Sequence, residues 1–336
     1  MSHSIKVSII GCGMIAGTHL TALRNAGAEV AGVFDQNRET ASAFASSHGI
    51  RSYDSMEALL ADDTALVSVC TPSGTHAVLA ETILTGGKHA VVEKPMALTV
   101  PECRRILDAE RKTGRFCAPV SQFRFSDAYR QAKDAVETGL FGRMILGTLS
   151  MKYYREPAYY AGSWRGTKRM DGGGALMNQG IHGIDMMFGL MGYPSTVTGH
   201  AATLLHDIEV EDTAVAGLVF PSGALGVIDG STAVVNSKPR RLELCGTRAS
   251  MTIVEDSIES VEGMPLLPSA GTDCSSCRDP GAIGVSLHER QFRNILAAAA
   301  GEEPLYYSSY DAMRTVAAIN AVYTSSRTGA AVVPDL

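Results

Sequence analysis

The sequence has no block of basic residues and no long apolar run. Its 29 Lys and Arg are scattered among 35 Asp and Glu, which leaves a formal net charge of -6. Nucleic acids and anionic membranes usually require a basic patch, and a membrane-spanning helix requires about 20 apolar residues in succession. We therefore predict that neither nucleic acid nor membrane is a partner.

Cysteine is scarce and forms no recognisable framework. The seven cysteines are an odd number spread along the chain, which is typical of reduced thiols rather than of a disulfide scaffold. The N-terminal stretch also lacks the charged region, apolar core and cleavage site of a secretory signal. We therefore expect a cytoplasmic protein.

One pair of cysteines, Cys274 and Cys277, has C-x-x-C spacing. It lies in the Pro-, Gly- and Ser-rich stretch 264–282, which we expect to be a mobile loop that either shapes a pocket or closes it. No second Cys pair or His pair at zinc spacing accompanies it. We predict no metal site.

A glycine-rich turn follows the first apolar run. Residues 11–16 read Gly-Cys-Gly-Met-Ile-Ala, which is G-x-G-x-x-A spacing between a strand-like and a helical pattern. The first glycine permits a tight turn, the second admits a pyrophosphate to the backbone, and the alanine allows close packing of helix on strand. This pattern predicts a dinucleotide site that includes Gly11, Gly13, Met14 and Ile15.

The second apolar run, 29–34, ends in Asp35. A carboxylate about 20 residues after the glycine turn holds a ribose hydroxyl in dinucleotide-binding folds. Because Asp35 would repel a 2′-phosphate, NAD is favoured as cofactor. Arg38 could offset that repulsion, so NADP stays possible.

Apolar strands and helices continue to alternate as far as residue 120, which predicts a parallel sheet. The loop 71–76 and the sequence Glu93-Lys94-Pro95 each follow a strand, at the carboxyl edge where such sheets bind ligands. Thr71, Pro72 and His76 are predicted to line the cofactor groove, although helix capping or packing is an equal alternative for His76. Glu93 is predicted to clamp the nicotinamide ribose or to orient Lys94, and a surface salt bridge is the alternative.

We place a domain boundary near Ser121. After it, successive runs of strand length with short turns between them, such as Pro221-Ser222-Gly223, predict an open, mainly antiparallel sheet. The expected organisation is a dinucleotide-binding α/β domain over 1–121 and an α+β substrate domain over 122–336, with helices at the C-terminal end.

The stretch 171–185 carries the strongest polar pattern of the second half. If it is a helix after Gly172-Gly173-Gly174, then Asn178, His182 and Asp185 share one face beside an apolar stripe. A single histidine on a helix usually has a packing role, but three polar groups aligned on one face favour a substrate site. Hydride transfer from a hydroxyl-bearing carbon needs a base and a positive group. Lys94 and His182 can supply them, and either could be the base.

These motifs, in this order, resemble the glucose-fructose oxidoreductase and inositol dehydrogenase family, Gfo/Idh/MocA, over nearly the whole chain. The resemblance implies an α/β Rossmann domain plus an α+β domain with a large open, mainly antiparallel sheet. It also implies NAD or NADP as cofactor and oxidation or reduction of sugars, polyols and related carbonyl compounds. Such proteins form homodimers or homotetramers, commonly through that sheet.

The resemblance assigns roles to individual residues. Lys94 and His182 match the family's catalytic lysine and histidine, whereas Asn178 stands where inositol dehydrogenase-like members have an aspartate and is expected to bind a substrate hydroxyl. Trp164 is either a site residue or a domain-interface anchor. The residues expected to contact substrate are Lys94, Arg124, Tyr153, Trp164, Arg165, Asn178, His182 and Asp185.

Two other functions stay open on the same fold. A glycoside hydrolase or lyase that retains NAD would oxidise its sugar only transiently and release a leaving group without net cofactor reduction. A non-catalytic ligand sensor would bind the cofactor without turnover.

Overall fold

The computed structural model of the 336-residue chain describes residues 4–265 and 284–336. These residues divide into two compact units. The first contains 4–97, 101–122 and 284–313, and the second contains 98–100, 123–265 and 314–336. Cys274, Cys277 and nearly all of the stretch 264–282 lie outside the described residues. The domain limits 1–121 and 122–336 stay a prediction.

The first unit is built on a six-stranded parallel sheet of order β3-β2-β1-β4-β5-β6. Its strands are β1 (Lys6–Ile10), β2 (Glu29–Phe34), β3 (Arg51–Ser52), β4 (Leu66–Val69), β5 (His89–Val92) and β6 (Cys117–Pro119). The intervening helices are α1 (Met14–Asn25), α2 (Arg38–His48), α3 (Met56–Ala61), α4 (His76–Thr85) and α5 (Val100–Thr113). The chain reverses its direction of strand addition between β1 and β4, which is where sheets of this kind bind ligands.

The second unit is built on a seven-stranded sheet of order β13-β12-β11-β7-β10-β9-β8. The strands are β7 (Met144–Lys152), β8 (Thr196–Ala202), β9 (Thr213–Val219), β10 (Leu225–Ser231), β11 (Arg241–Gly246), β12 (Ser250–Val254) and β13 (Ser257–Glu262). Only the pairing of β7 with β10 is parallel among those described. The expected α/β domain plus mainly antiparallel α+β domain is confirmed.

The described residues contain five more α-helices: α6 (Asp127–Glu137), α7 (Pro157–Tyr160), α8 (Ile181–Met191), α9 (Val285–Ala299) and α10 (Ser309–Thr328). Helix α8 lies closely on the sheet, because a Cβ added at Gly147 of β7 would overlap Met191. None of the described helices is long and apolar enough to cross a membrane.

Helix α9 belongs to the core of the first unit, although it follows the second sheet in sequence. Its buried residues Phe292 and Ile295 join the same apolar cluster as Val7 of β1 and Leu20 of α1. Burial of each such side chain contributes about 1.5–3 kcal/mol. The first unit is therefore completed by residues more than 160 positions beyond its last strand.

Candidate active site

The glycine turn after β1 requires glycine at its first position. Gly11 has φ +89°, and its amide donates to Phe34 O at 2.8 Å. A Cβ at Gly11 would lie 2.8 Å from the carbonyl carbon and oxygen of Cys70. The ends of β1, β2 and β4 therefore meet here at a distance that leaves no room for a side chain.

The second glycine of the turn, Gly13, has a different environment. It is the N-cap of α1, its φ is -78°, and it offers no side chain to accept the first amides of the helix. A Cβ built on it meets nothing within 4 Å. Open space beside uncapped helix amides fits the pyrophosphate of a dinucleotide, so this observation supports cofactor roles for Gly13, Met14 and Ile15.

Asp35 lies beside the glycine turn, as the sequence predicts. Its carboxylate accepts hydrogen bonds from the Cys12 amide and the Asn37 amide, each at 2.9 Å. These two amides orient the carboxylate and leave further acceptor positions on its oxygens. Burial and the charge of Asp35 raise the pKa of Cys12 to about 12, so this thiol is neutral near pH 7. Arg38 begins α2 and is exposed.

The loop after β4 is fixed by His76. Its buried ring has Nδ1 at 2.7 Å from Pro95 O and Nε2 at 2.9 Å from Thr71 O. Burial lowers the pKa of His76. Both ring nitrogens face backbone carbonyls, which favours the packing alternative: His76 holds the Thr71-Pro72 loop against the Lys94-Pro95 loop, and its cofactor contact stays a prediction.

The end of β5 is held by a buried histidine of α1. Glu93 is 8% exposed, so its carboxylate forms no surface salt bridge; for Lys94 that alternative stays open. One carboxylate oxygen lies 2.8 Å from Nε2 of the buried His19, and the other accepts the Lys94 amide at 3.1 Å. Lys94 itself is half-buried.

In the second unit, the stretch 171–185 is not one α-helix. Residues Ala175–Gly180 form a π-helical segment that precedes α8. Such segments are often found at functional sites. The three preceding glycines serve close packing: a Cβ at Gly174 would overlap the backbone of Glu211, and one at Gly173 would overlap Tyr323.

Glu211 anchors the start of this segment, and the sequence pattern does not single it out. Its carboxylate accepts the Gly174 and Leu176 amides at 2.9 Å each, and the Tyr323 hydroxyl at 2.8 Å. Burial raises the pKa of Glu211 even against these donors. The carboxylate thus supplies the side-chain acceptor for the start of the π-helical segment, across a sequence separation that no local pattern reveals.

The predicted polar trio does not share one environment. Asn178 donates from Nδ2 to Asp171 at 2.6 Å. The half-buried ring of His182 lies 5.3 Å from the ring of Phe123 between centroids. Asp185 is buried and pairs with Arg124. The expected single α-helix is wrong, because the π-helical turn changes the spacing between Asn178 and α8. A common substrate face for the three side chains stays a prediction.

Arg124 and Asp185, both predicted to contact substrate, are paired with each other. Arg124 donates from Nε and Nη2 to the two carboxylate oxygens at 2.6 and 2.8 Å, and Thr315 Oγ1 donates to one of them at 3.1 Å. Both side chains are buried. This bidentate pair favours a structural role for both residues, and their predicted substrate contacts stay a prediction.

Aromatic and cationic side chains form a cluster around Gln179. Gln179 accepts from Arg155 at 3.0 Å and donates to the Tyr159 hydroxyl at 2.9 Å. The guanidinium of Arg165 lies 4.7 Å from the Tyr159 ring centroid and 5.1 Å from that of Trp164. The sequence predicts a site role for Trp164 and Arg165 but not for Tyr159, Gln179 and Arg155, although the aromatic-rich stretch 153–164 is a signal for this cluster.

Tyr153 lies beside this cluster in sequence but is 4% exposed. Its ring packs with Met151 and lies 5.2 Å from the Arg155 guanidinium. A contact between Tyr153 and substrate stays a prediction.

Comparison with known proteins agrees with this architecture. Residues 5–120 match the model of an oxidoreductase family with an NAD-binding Rossmann fold, and residues 129–252 match that of the GFO/IDH/MocA C-terminal domain. Together the two matches cover well over half of the chain.

Individual relatives have related activities. The chain is 30% identical over 223 residues to 1,5-anhydro-D-fructose reductase of Ensifer adhaerens, covering 65% of this chain and 66% of that protein. It is 27% identical over 262 residues to scyllo-inositol 2-dehydrogenase (NAD(+)) of Bacillus subtilis, covering 75% of each.

A solved structure is similar over the whole chain. The WlbA dehydrogenase of Bordetella pertussis, in complex with NADH and UDP-GlcNAcA, is 27% identical, has a TM-score of 0.91, and is matched over 100% of this chain and 99% of that chain. The predictions of an oxidoreductase and of NAD as cofactor are confirmed at the level of the family. The chain belongs to the Gfo/Idh/MocA family of oxidoreductases, whose N-terminal domain is an NAD-binding Rossmann fold.

Proposed function

We propose that this protein transfers a hydride between a nicotinamide cofactor and a hydroxyl or carbonyl carbon of a sugar, a sugar derivative or a cyclic polyol. The proposal rests on the arrangement of residues at the carboxyl edge of the first sheet. There the open Gly13 turn, the oriented Asp35 carboxylate and the Glu93-Lys94 strand end follow strands β1, β2 and β5 of the same parallel sheet. The relatives named above supply the substrate class.

The residues of the first unit fit a bound NAD. The uncapped amides at the start of α1 would hold the pyrophosphate, and Asp35 would accept hydrogen bonds from ribose hydroxyls. A carboxylate at this position repels a 2′-phosphate, which favours NAD. The exposed Arg38 could offset that repulsion, so NADP stays a possible cofactor. We also assign Thr71, Pro72 and Glu93 to this cofactor site.

NAD, when bound, supplies the hydride acceptor or donor. The chain must supply proton transfer and stabilisation of charge on the substrate oxygen. Lys94 and His182 take these two roles: the lysine ammonium stabilises negative charge on oxygen, and the imidazole can accept or return a proton because its ordinary pKa lies near neutrality. Asn178, a neutral amide, cannot take the proton and orients a hydroxyl instead.

The aromatic cluster suits a carbohydrate. Tyr159 and Trp164 present flat apolar surfaces with polar tips, and Arg165 and Gln179 add hydrogen-bonding groups beside them. Sugars combine apolar C–H faces with a rim of hydroxyls, so this combination matches them.

We also propose that the chain forms a homodimer or homotetramer through the open face of the second sheet. Leu146, Val219, Leu225 and Val227 are exposed large apolar residues, and Leu225 is paired with both Leu146 and Val219 across adjacent strands. Contiguous exposed apolar residues of this kind usually mark an interface. A Val227→Lys variant should have the mass of a smaller species by light scattering at equal concentration, while an unchanged mass would contradict the proposal.

We propose that the domain of residues 1–121 binds the cofactor and that the domain of residues 122–336 binds substrate and the partner copy. Helix α9 of the latter range completes the core of the first unit. We place the protein in the cytoplasm because five described cysteines, Cys12, Cys70, Cys103, Cys117 and Cys245, are free thiols.

The test is a screen for reduced nicotinamide by its near-ultraviolet absorbance. NAD and NADP are supplied in parallel with monosaccharides, anhydrosugars, inositols and sugar acids. We expect turnover with one sugar class and its loss in Lys94→Ala and His182→Ala, while the exposed control Lys112→Ala stays active. Full turnover by Lys94→Ala would overturn its role. Cofactor binding without turnover would favour the sensor, and release of a leaving group without net reduction would favour the hydrolase or lyase.

A further inference from the structure

Three buried titratable residues of the first unit meet behind the Glu93-Lys94 strand end. They are His19 from α1, Glu93 from the end of β5 and His288 from α9, and each is less than 10% exposed. Nε2 of His19 lies 2.8 Å from Glu93 Oε1, and Nε2 of His288 lies 3.9 Å from the same oxygen. The proposed function uses Glu93 and Lys94 but gives neither histidine a role.

His19 is the hydrogen-bond donor to this carboxylate. An ionised carboxylate only accepts, so Nε2 carries a proton. The other ring nitrogen lies 2.8 Å from Ser68 Oγ, a hydroxyl that can donate or accept. Burial of the ring opposes its charge, but Cys70 and Glu93 together raise the pKa of His19 to about 10.

Glu93 is held as a carboxylate in this environment. Burial alone would raise its pKa, but the hydrogen bond and charge of His19, with smaller contributions from His288 and Lys94, hold the pKa of Glu93 well below its usual range. His19 and Glu93 therefore form a buried ion pair whose charges offset each other.

His288 approaches the same carboxylate oxygen as His19. Its Nδ1 lies 3.1 Å from Gly284 O, which only accepts, so Nδ1 carries the proton of a neutral ring. Burial and the charge of His19 lower the pKa of His288 to about 4. Its Nε2 has no hydrogen-bond partner among the described residues. This ring thus contacts the carboxylate without neutralising it.

The spacing favours a proton over a metal ion between these groups. One ligand atom from each residue lies within 4.8 Å of the others. Two ligands of one tetrahedral zinc, bound at about 2.0–2.1 Å, stay roughly 3.3 Å apart, whereas His19 Nε2 and Glu93 Oε1 are 2.8 Å apart. That is the length of a charge-assisted hydrogen bond.

We propose that His19 and His288 are positioning residues for Lys94: they hold the Glu93 carboxylate in one place, and its second oxygen fixes the Lys94 amide from which the lysine side chain extends. The inference rests on the proposed function in one respect, that Lys94 acts on the substrate. It adds that α1 and α9, two elements far apart in sequence, jointly set the position and charge environment of that lysine.

The charge environment provides the decisive readout. The titratable groups that face Glu93 are His19, His288, His76 and the following Lys94, and His19 also faces Cys70. When His19 is replaced by a neutral residue, the carboxylate charge is no longer offset and it stabilises the ammonium form of Lys94. The pH profile of kcat should then move to higher pH on the limb that Lys94 sets, a change that a merely structural role would not produce.

The experiment compares His19→Leu, His19→Gln, His288→Leu and a control, His48→Gln, which lies at the end of α2 in the same unit. We expect kcat to fall roughly tenfold or more in His19→Leu, as for loss of one charge-assisted hydrogen bond, with substrate KM little changed. Partial rescue is expected in His19→Gln, which keeps a donor but no charge. His288→Leu should lower kcat without moving the pH limb, and the control should match wild type.

Failure of this inference and failure of the proposed function give different results. If Lys94→Ala retains full turnover, the proposed role of Lys94 fails. If Lys94→Ala is inactive while the His19 and His288 variants keep wild-type kcat and pH profile, only the positioning role fails. If His19→Leu does not fold, His19→Gln decides the question. Stoichiometric metal in the purified protein, lost in His19→Gln, would overturn the proton assignment.

Discussion

Replacing Gly13 by alanine should weaken NAD binding while leaving the fold intact. Gly13 has φ -78°, a value that alanine adopts without strain, and the added Cβ meets no atom of the chain within 4 Å. The space that the methyl group would fill is the space assigned to the pyrophosphate at the start of α1. The substitution therefore separates ligand exclusion from folding, which most substitutions in a tight turn do not.

The expected magnitude follows from the contacts at stake. A Cβ at this position would push the pyrophosphate away from the helix amides and remove at least one charge-assisted hydrogen bond, which contributes about 1.5–3 kcal/mol. Since about 1.4 kcal/mol corresponds to a tenfold change in Kd, NAD should bind roughly 10- to 100-fold more weakly. Alanine is a poorer N-cap than glycine, at a cost of up to about 1 kcal/mol.

Calorimetric titration of NAD, together with denaturant unfolding, measures both quantities. Gly17→Ala is the matched control, because Gly17 lies one turn further along α1 and a Cβ there also meets nothing within 4 Å. It should bind NAD as wild type does and gain up to about 1 kcal/mol of stability from helix propensity. Wild-type NAD affinity in Gly13→Ala would refute the placement of the pyrophosphate.

Three further predictions concern stability. Gly11→Ala should destabilise the protein by about 2–5 kcal/mol in denaturant unfolding, since it combines a left-handed φ with a clash against the Cys70 backbone; a cost below about 1 kcal/mol would contradict that close approach. The pKa of His19 is about 10 in the folded protein against an ordinary 6.5, so its contribution is complete below pH 6.5 and is lost as pH rises towards 10. The difference in unfolding free energy between wild type and His19→Gln should shrink over that window, and a constant difference would argue against a charged His19. Arg124→Met should cost about 3–5 kcal/mol by leaving the Asp185 carboxylate unpaired, and the double variant with Asp185→Leu should recover most of it; equal losses in both would contradict a mutual pairing.

Local patterns predicted the elements whose residues decide their own structure. Strand β2 has the predicted limits, because an apolar run needs no distant partner to be recognised. The Asp35 carboxylate was also predictable, since the spacing of strand, glycine turn and second strand fixes its position at the sheet edge.

Features that depend on distant partners were not predictable. The placement of α9 follows from burial of Phe292 among residues of β1 and α1, and no local signal in α9 specifies that partner. The π-helical turn depends on Glu211 accepting amides some 35 residues away in sequence. The pairing of Arg124 with Asp185 likewise joins two candidate substrate residues over 61 positions, and only the folded chain shows that they bind each other.

His19 illustrates the same limit at the candidate site. In sequence it is one histidine on a helix after the glycine turn, and a single helical histidine usually has a packing role. Its significance depends on Glu93, which lies 74 residues later, and on His288 from α9. Sequence reasoning located the strand end to which we assign the chemistry but not the two histidines that we propose position it.

The most direct test of the account follows the transferred hydrogen itself. Wild-type protein is incubated with NAD and the active sugar deuterated at its carbinol carbons, and the cofactor released into solution is analysed by mass spectrometry. We predict reduced nicotinamide that carries deuterium, formed by wild type and not by Lys94→Ala. Consumption of the sugar with only unlabelled, oxidised cofactor in solution would contradict net hydride transfer.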